Sequence, residues 1–314
     1  MSSKKNLQKS KLQEGVHMKI YMILMLCVLF WSANFIIGRF IHNDVEPIEL
    51  AFFRWMGVFM ALSPMLLIHF KHIMRVIKKH FALMMVFSVL GITGFNTLLY
   101  IGLQDTTATN ALLINSAVPI MIVFLAALIL KQKITNNQII GIILSTLGVI
   151  LLVLKADLLK ITALEFNKGD FWVISAGFSW ALYSVLLKFK PKELKGMQFI
   201  TAIVFLGTIV LLILYVSFGY GFTSGINHLD NHFMIILYLV FFPSILSYIF
   251  WHKGIETIGA DKTGQFTHLM PLFGSLMAFV FLGETLELYH LLGMSFIAFG
   301  IYLSLFFKKK EKLI

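Results

Sequence analysis

Two apolar stretches of the chain each contain a proline close to polar side chains. In HLMPLFGSLMAFVFLGE, His268 precedes Pro271 by three residues, and in NSAVPIMIVFLAALILKQK, Asn115 precedes Pro119 by four. A proline inside a helix removes one backbone hydrogen bond and frees the carbonyl four residues earlier. Because these carbonyls belong to Asn115 and Thr267, the two sites could form one polar binding surface. Two kinks that pack well and bind nothing are the alternative.

His268 is an ionisable residue within an apolar run. Such a residue in a membrane span is a functional-site hypothesis by default, and histidine changes its charge near neutral pH. Since the sequence has no carboxylate near the middle of an apolar run, His268 is the candidate proton carrier. A neutral ring that hydrogen-bonds a neighbouring helix explains the residue equally well.

Arg54, in the stretch ELAFFRW, lies about two helical turns into a second apolar run. Its guanidinium could attract a carboxylate or phosphate on a substrate. It could instead extend outward to Asp44, Glu46 or Glu49, as long cationic side chains do near membrane surfaces. The sequence favours the outward or structural arrangement, and Arg54 stays a candidate for substrate binding.

The other candidates for a binding cavity are polar or aromatic residues in apolar runs, where side chains of this kind usually face other helices. They are Trp31, Asn34, Asn96, Tyr100, Trp180, Tyr183, Tyr248 and Gln265. Each alone fits an interhelical contact better than a ligand contact. Together they predict an aromatic, weakly polar cavity for amphipathic, zwitterionic or cationic cargo, because Trp and Tyr faces attract cations.

The elements that must position these residues are membrane spans. The chain is 59% hydrophobic and 13% charged, whereas soluble domains are about 45–50% apolar and about 25% charged. Backbone amides in lipid need internal partners, so runs of about 20 apolar residues should be helices. The fold class is therefore all-α, a polytopic membrane protein of ten helices. The predicted spans are 19–41, 48–69, 80–103, 107–130, 137–155, 170–188, 197–218, 232–251, 262–283 and 287–307.

Charged residues are distributed unevenly between the two membrane faces. With the N-terminus inside, 21 of the 26 Lys and Arg residues lie inside and 10 of the 15 acidic residues lie outside. This bias predicts cytoplasmic termini in a cytoplasmic (inner) membrane. A disordered basic tail (1–18), an outer linker (156–169) and a basic cytoplasmic tail (308–314) complete the organisation.

An internal repeat appears when the sequence is shifted by 152 residues. The matched residues are Gly102 and Gly254, Pro119 and Pro271, Ala126 and Ala278, Gly141 and Gly293, and Gly148 and Gly300. Glycine and proline mark backbone features, so their coincidence indicates two related units. Each unit has five spans, and an odd number inverts the second unit in the membrane, as in many secondary transporters.

The stretches LFWSANFIIGRF and ELAFFRW, with the two proline–glycine segments, resemble the drug/metabolite transporter superfamily, EamA type. The resemblance implies a ten-helix permease with repeats at 19–155 and 170–307, often an exporter of amino acids or other small metabolites. The Gly-Glu pair usual after the fourth span is Lys131-Gln132 here, whereas Gly283-Glu284 is present after the ninth.

The sequence thus predicts a secondary transporter that works by alternating access around a midplane cavity. No Walker A, His-Glu-x-x-His or nucleic-acid motif is present, so we expect no enzyme activity, cofactor, metal or nucleic-acid partner. The expected partners are a small-molecule substrate and the lipid bilayer. The seven-residue spacing of glycines in spans five and ten leaves a homodimer open. A membrane-embedded enzyme and a facilitative lipid- or nucleotide-type carrier are the alternatives.

Overall fold

The computed structural model describes residues 2–157, 166–282 and 287–306, and helices dominate these ranges. The first half contains α1 Ser2–Phe40, α2 Pro47–Ile68, α3 Phe70–Lys79, α4 Phe81–Ser88, α5 Phe95–Asp105, α6 Ala108–Asn115, α7 Val118–Leu130 and α8 Asn136–Val153. The second half contains α9 Lys168–Leu186, α10 Met197–Ser217, α11 Phe222–Asn231, α12 Phe233–Leu239, α13 Ser247–Ile258, α14 Ala260–Gly264, α15 Leu269–Leu282 and α16 Leu288–Phe306.

Nine helical stretches in the described ranges are long and apolar enough to cross a membrane, which confirms the all-α polytopic fold class. They correspond to nine of the ten predicted spans. The remaining predicted span, 262–283, is divided into α14, a 3₁₀ turn and α15. Outward-facing side chains such as Phe40, Met60 and Phe124 are largely exposed, as expected for helix faces that contact lipid.

The N-terminal residues differ from the prediction, because α1 already begins at Ser2. The segment 1–18 was expected to be a disordered tail. Its Lys, Gln, Leu and Glu residues are good helix formers, and extending the first span by further turns requires no new helix nucleus. Gly283-Glu284 and the tail 308–314 lie outside the described residues, as does 158–165 of the outer linker.

The last helices of the two halves, α8 and α16, pack against each other in opposite directions. A Cβ atom built on Gly141 would lie 2.5 Å from the carbonyl oxygen of Gly300, and one on Gly148 would lie 2.7 Å from that of Gly293. Glycine permits this backbone approach because it has no side chain. As the residue number rises on α8 it falls on α16, so the two helices are antiparallel.

The remaining helix contacts follow the same symmetry. α5 packs on α9 of the other half, and the equivalent pair is α13 with α1. α2 packs on its own counterpart, α10. A π-helical segment joins α4 to α5 at Val89–Gly94, and another joins α12 to α13 at Val240–Leu246. The two π-helical segments lie at corresponding positions of the repeat, which supports two inverted units that enclose a seam.

Candidate functional site

The proline motifs lie where two helices are fully interrupted. α6 ends at Asn115 and α7 begins at Val118, so Pro119 is in the first turn of a new helix. Likewise, Pro271 is in the first turn of α15, directly after a 3₁₀ turn. Pro119 and Pro271, which the sequence marked as helix-break residues, thus each lie at the start of a helix. Proline is tolerated at a helix start because the first backbone N–H groups have no intrahelical acceptor.

The two breaks contact each other across the seam. Nε2 of His268 lies 2.9 Å from the carbonyl oxygen of Ser116, the residue at the equivalent position of the first repeat. Since a carbonyl only accepts, the ring donates through Nε2. The amide of Asn115 contacts the sulfur of Met270 at 3.3 Å, and the Ser32 hydroxyl donates to the Met270 carbonyl at 2.7 Å. These bonds join both halves at the level of the breaks.

The His268 side chain is 0% exposed, and among the described residues its Nδ1 atom has no hydrogen-bond partner. This is the interhelical contact that the neutral-ring interpretation predicts. A proton would bind at this unpartnered Nδ1 atom. The role of His268 as proton carrier therefore stays open as a prediction.

Arg54 is 1% exposed and lies among side chains from other helices. Its Nε donates to the Ser244 hydroxyl at 2.8 Å. Its Nη1 lies 3.0 Å from Asn34 Oδ1, 2.8 Å from Asn96 Oδ1 and 2.6 Å from the Tyr100 hydroxyl. All four partners are uncharged. We call Arg54 with these four residues the arginine cluster.

The sequence favoured an outward or structural arrangement for Arg54, and the structure shows pairing within the bundle and no outward orientation. Instead of extending toward Asp44, Glu46 or Glu49, the side chain is enclosed within the bundle. The reason is tertiary, because α1, α5 and the second π-helical segment bring acceptors to one point. Buried polar groups need partners, and the guanidinium supplies donors to all of them.

A group of aromatic rings lies beside the seam. The centroid of Trp31 is 5.0 Å from that of Trp180 and 5.0 Å from that of Trp251. Trp180 in turn lies 5.1 Å from Tyr183 and 5.4 Å from Tyr248. Edge-to-face and tilted pairs at these distances stabilise a packed cluster. Among the described residues, the Trp180 indole N–H has no hydrogen-bond acceptor, which leaves one donor available at this position.

A narrow cavity lies between the aromatic group and the two breaks. Its free volume is about 10 Å³, roughly the space needed by one water molecule. We call it the seam cavity. Its lining residues are Trp31, Asn34, Phe35, Phe95, Asn115, Trp180, Thr267 and Met270.

The predicted site residues lie at several different positions relative to the seam cavity. Four line it directly, namely Trp31, Asn34, Asn115 and Trp180. Arg54, Asn96 and Tyr100 are connected to it through Asn34, whereas Tyr183 and Tyr248 pack behind Trp180 and His268 lies beside the breaks. Gln265 is apart from the cavity lining, and its amide nitrogen lies 3.5 Å from the Asp261 carbonyl.

The contacts of the two π-helical segments were not predicted from the sequence. The Trp31 indole donates to the carbonyl of Pro243 at 2.9 Å, and the Tyr248 hydroxyl donates to the carbonyl of Gly91. Gly91 and Pro243 are 152 residues apart, so equivalent carbonyls of the two halves each accept from an aromatic residue of the other half. The available signal was Pro243 inside an apolar run. A proline removes a backbone hydrogen bond of an α-helix, and π-helical turns often occur at functional sites.

Comparison with known proteins places the chain in a family. The sequence matches the EamA-like transporter family over residues 18–154 and again over 167–306. It is 28% identical to the uncharacterized transporter YyaM of Bacillus subtilis (strain 168), over 91% of this chain and 93% of that protein. It is 29% identical to an uncharacterized transporter of Archaeoglobus fulgidus, over 91% of this chain and 97% of the relative.

A solved crystal structure has the same fold, with a TM-score of 0.66 at 13% identity, and the alignment covers 91% of this chain and 96% of the other. The two family matches cover the two halves of the chain, and both relatives are named as transporters. The chain therefore belongs to the EamA-like transporter family and is a multi-pass membrane transporter.

Proposed function

We propose that the chain exports small metabolites that carry a carboxylate, with amino acids as the leading class, by alternating access of its two halves around the seam cavity. One observation carries the proposal. Arg54 is buried in the bundle with four uncharged partners, and one of them, Asn34, lines the seam cavity.

The charge of Arg54 explains why an anionic group is expected. Arginine stays protonated in proteins, and a cation within the bilayer is costly even when it is hydrogen-bonded. Neutral acceptors satisfy its N–H groups without cancelling its charge. A substrate carboxylate that displaced the Asn34 amide would accept hydrogen bonds from the guanidinium and also cancel its charge. The two groups would meet in the paired geometry that guanidinium and carboxylate favour.

The aromatic residues suit the other end of an amino acid. Trp31 and Trp180 line the same seam cavity, and indole faces attract ammonium groups. From the sequence we expected amphipathic, zwitterionic or cationic cargo, and the burial of Arg54 revises this expectation. A buried cation next to the cavity disfavours cargo of net positive charge.

The seam cavity must widen before such cargo fits, because its free volume is about 10 Å³. The breaks between α6 and α7 and between α14 and α15 are the natural hinges, since interrupted helices line the sites of many secondary transporters. We infer that the two halves rock about these breaks. His268, which bridges them, would sense protonation during the movement.

The charge bias supports cytoplasmic termini and a cytoplasmic membrane for this transporter. A facilitative carrier of phosphorylated or nucleotide-type anions is the second candidate function, because the same guanidinium would bind a phosphate.

Reconstituted vesicles test the proposal. Purified protein in proteoliposomes is given a panel of radiolabelled amino acids, polyamines, nucleotides and cationic drugs, and flux is measured for the wild type and Arg54→Gln. We expect flux of at least one amino acid and a loss of about tenfold or more in Arg54→Gln. Arg39→Gln is the matched control, because Arg39 donates to the carbonyls of Leu103 and Gln104 away from the seam cavity.

Flux confined to polyamines or cationic drugs would contradict the proposal, as would equal losses in Arg54→Gln and Arg39→Gln. Flux of nucleotides with no flux of amino acids would select the second candidate.

A further inference from the structure

A second, larger cavity opens at the membrane end where α9 passes into α10. Its volume is about 540 Å³, within the range of small-molecule sites. The connecting segment 187–196 forms one wall and the end of α13 forms the other. We call it the basic pocket. Its ionisable lining residues are Lys188, Lys190, Lys192, Lys195, His252 and Glu256.

The lining of the basic pocket carries an excess of positive charge. The lining contains four lysines and one glutamate. The glutamate, Glu256, forms an ion pair with Lys190. The remaining lysines are exposed. Glu193 of the connecting segment accepts a hydrogen bond from Lys79 of α3 at 2.8 Å. A concave surface of one sign concentrates ions of the opposite sign, so the basic pocket should attract anions.

The inner part of the basic pocket is less polar and more buried. His252 is 5% exposed, and its Nε2 atom lies 2.6 Å from the Tyr183 hydroxyl oxygen. The Lys190 side chain is 19% exposed, with its ammonium 5.6 Å from the centre of the Phe199 ring. Leu187 and Ile255 complete the lining. An exposed lysine rim over a buried, partly apolar floor suits a ligand with an anionic head and a short organic part.

We propose that the basic pocket binds a phosphate-bearing anion, either the headgroup of an anionic phospholipid or a free phosphorylated metabolite. Lysine ammonium groups bind phosphate oxygens through charge-assisted hydrogen bonds. The basic pocket lies at the end of the spans, where basic pockets between membrane helices meet lipid headgroups. This site is separate from the seam cavity and does not rest on the cargo proposed there.

Calorimetric titration of the full-length protein in an uncharged detergent tests the proposal. The probes are dihexanoyl phosphatidylglycerol, glycerol 3-phosphate and, as the zwitterionic control, dihexanoyl phosphatidylcholine. The test variant is Lys192→Gln/Lys195→Gln. Lys71→Gln/Lys78→Gln is the matched control, because it removes two exposed lysines at the same membrane end outside the basic pocket.

We expect an anionic probe to bind the wild type and to bind the test variant about 25-fold more weakly, since a lysine near the membrane surface contributes about fivefold. The control variant should match the wild type. Binding of phosphatidylglycerol alone identifies a lipid headgroup as the occupant, and binding of glycerol 3-phosphate identifies a free anion.

Absence of binding by both anionic probes, or equal weakening in the two double variants, would overturn the proposal. Arg54→Gln should bind the probes like the wild type, so the test is independent of transport through the seam cavity.

Discussion

The contact between α8 and α16 is so close that one added methyl group should destabilise the protein measurably. In Gly141→Ala, the new Cβ would lie 2.5 Å from the Gly300 carbonyl oxygen and 2.9 Å from the Ser304 Cβ. Ordinary carbon contacts are about 3.5–4.0 Å, so the helices must move apart by about 1 Å. A backbone carbonyl cannot rotate away as a side-chain end can, because it belongs to the helix.

The expected cost follows from two opposing effects. Overpacking of this kind costs about 1–3 kcal/mol, whereas replacing glycine by alanine within a helix gains about 1 kcal/mol. Because the clash is with backbone, we place the overpacking cost at the upper end and expect Gly141→Ala to lose about 2 kcal/mol. The control is Gly274→Ala in α15, whose Cβ would lie 3.5 Å from Leu112 and 3.6 Å from Ser32.

Thermal unfolding in detergent, followed by size-exclusion chromatography of heated samples, measures both variants. Gly141→Ala should lower the melting temperature by several degrees, since about 1 kcal/mol corresponds to roughly 2–4 °C in chains of 150–250 residues. Gly274→Ala should match or exceed the wild type. Equal melting temperatures for the two variants would refute the close approach of α8 and α16.

Three further predictions concern the seam and the membrane surface. His268→Ala should abolish the pH dependence of flux in proteoliposomes, and an unchanged pH profile would exclude His268 as proton carrier. Trp31→Phe, which removes the hydrogen bond to Pro243, should cost about 1 kcal/mol of stability, and an unchanged melting temperature would count against this bond. The hydrogen bond from Lys79 lowers the pKa of Glu193 from 4.5 to about 2. A carboxyl group whose pKa is lower in the folded state stabilises the fold at pH values above its pKa in the unfolded state. This contribution should therefore be lost as the pH falls from about 4.5 to 2. Lys79→Gln should flatten that part of the stability profile, and a profile like that of the wild type would contradict the ion pair.

The helical spans and the repeat could be predicted from sequence because they depend on local and periodic properties. Apolar length defines a span, and matched glycines such as Gly141 and Gly293 mark where backbones approach. The candidate site was predicted in part. Trp31, Asn34, Asn115 and Trp180 line the seam cavity, and their role in substrate binding stays a prediction.

The sequence alone determined that the chain resides in lipid as two five-span units, since hydropathy and the 152-residue repeat are properties of the chain itself. Only the tertiary structure decided that Arg54 lies inside the bundle and that His268 bridges the two helix breaks. The physical reason is that a hydrogen-bond partner in another helix, such as Ser244 or Ser116, is separated by more than a hundred residues along the chain. Burial and pairing of a polar side chain depend on which helices converge around it, and no local pattern encodes that convergence.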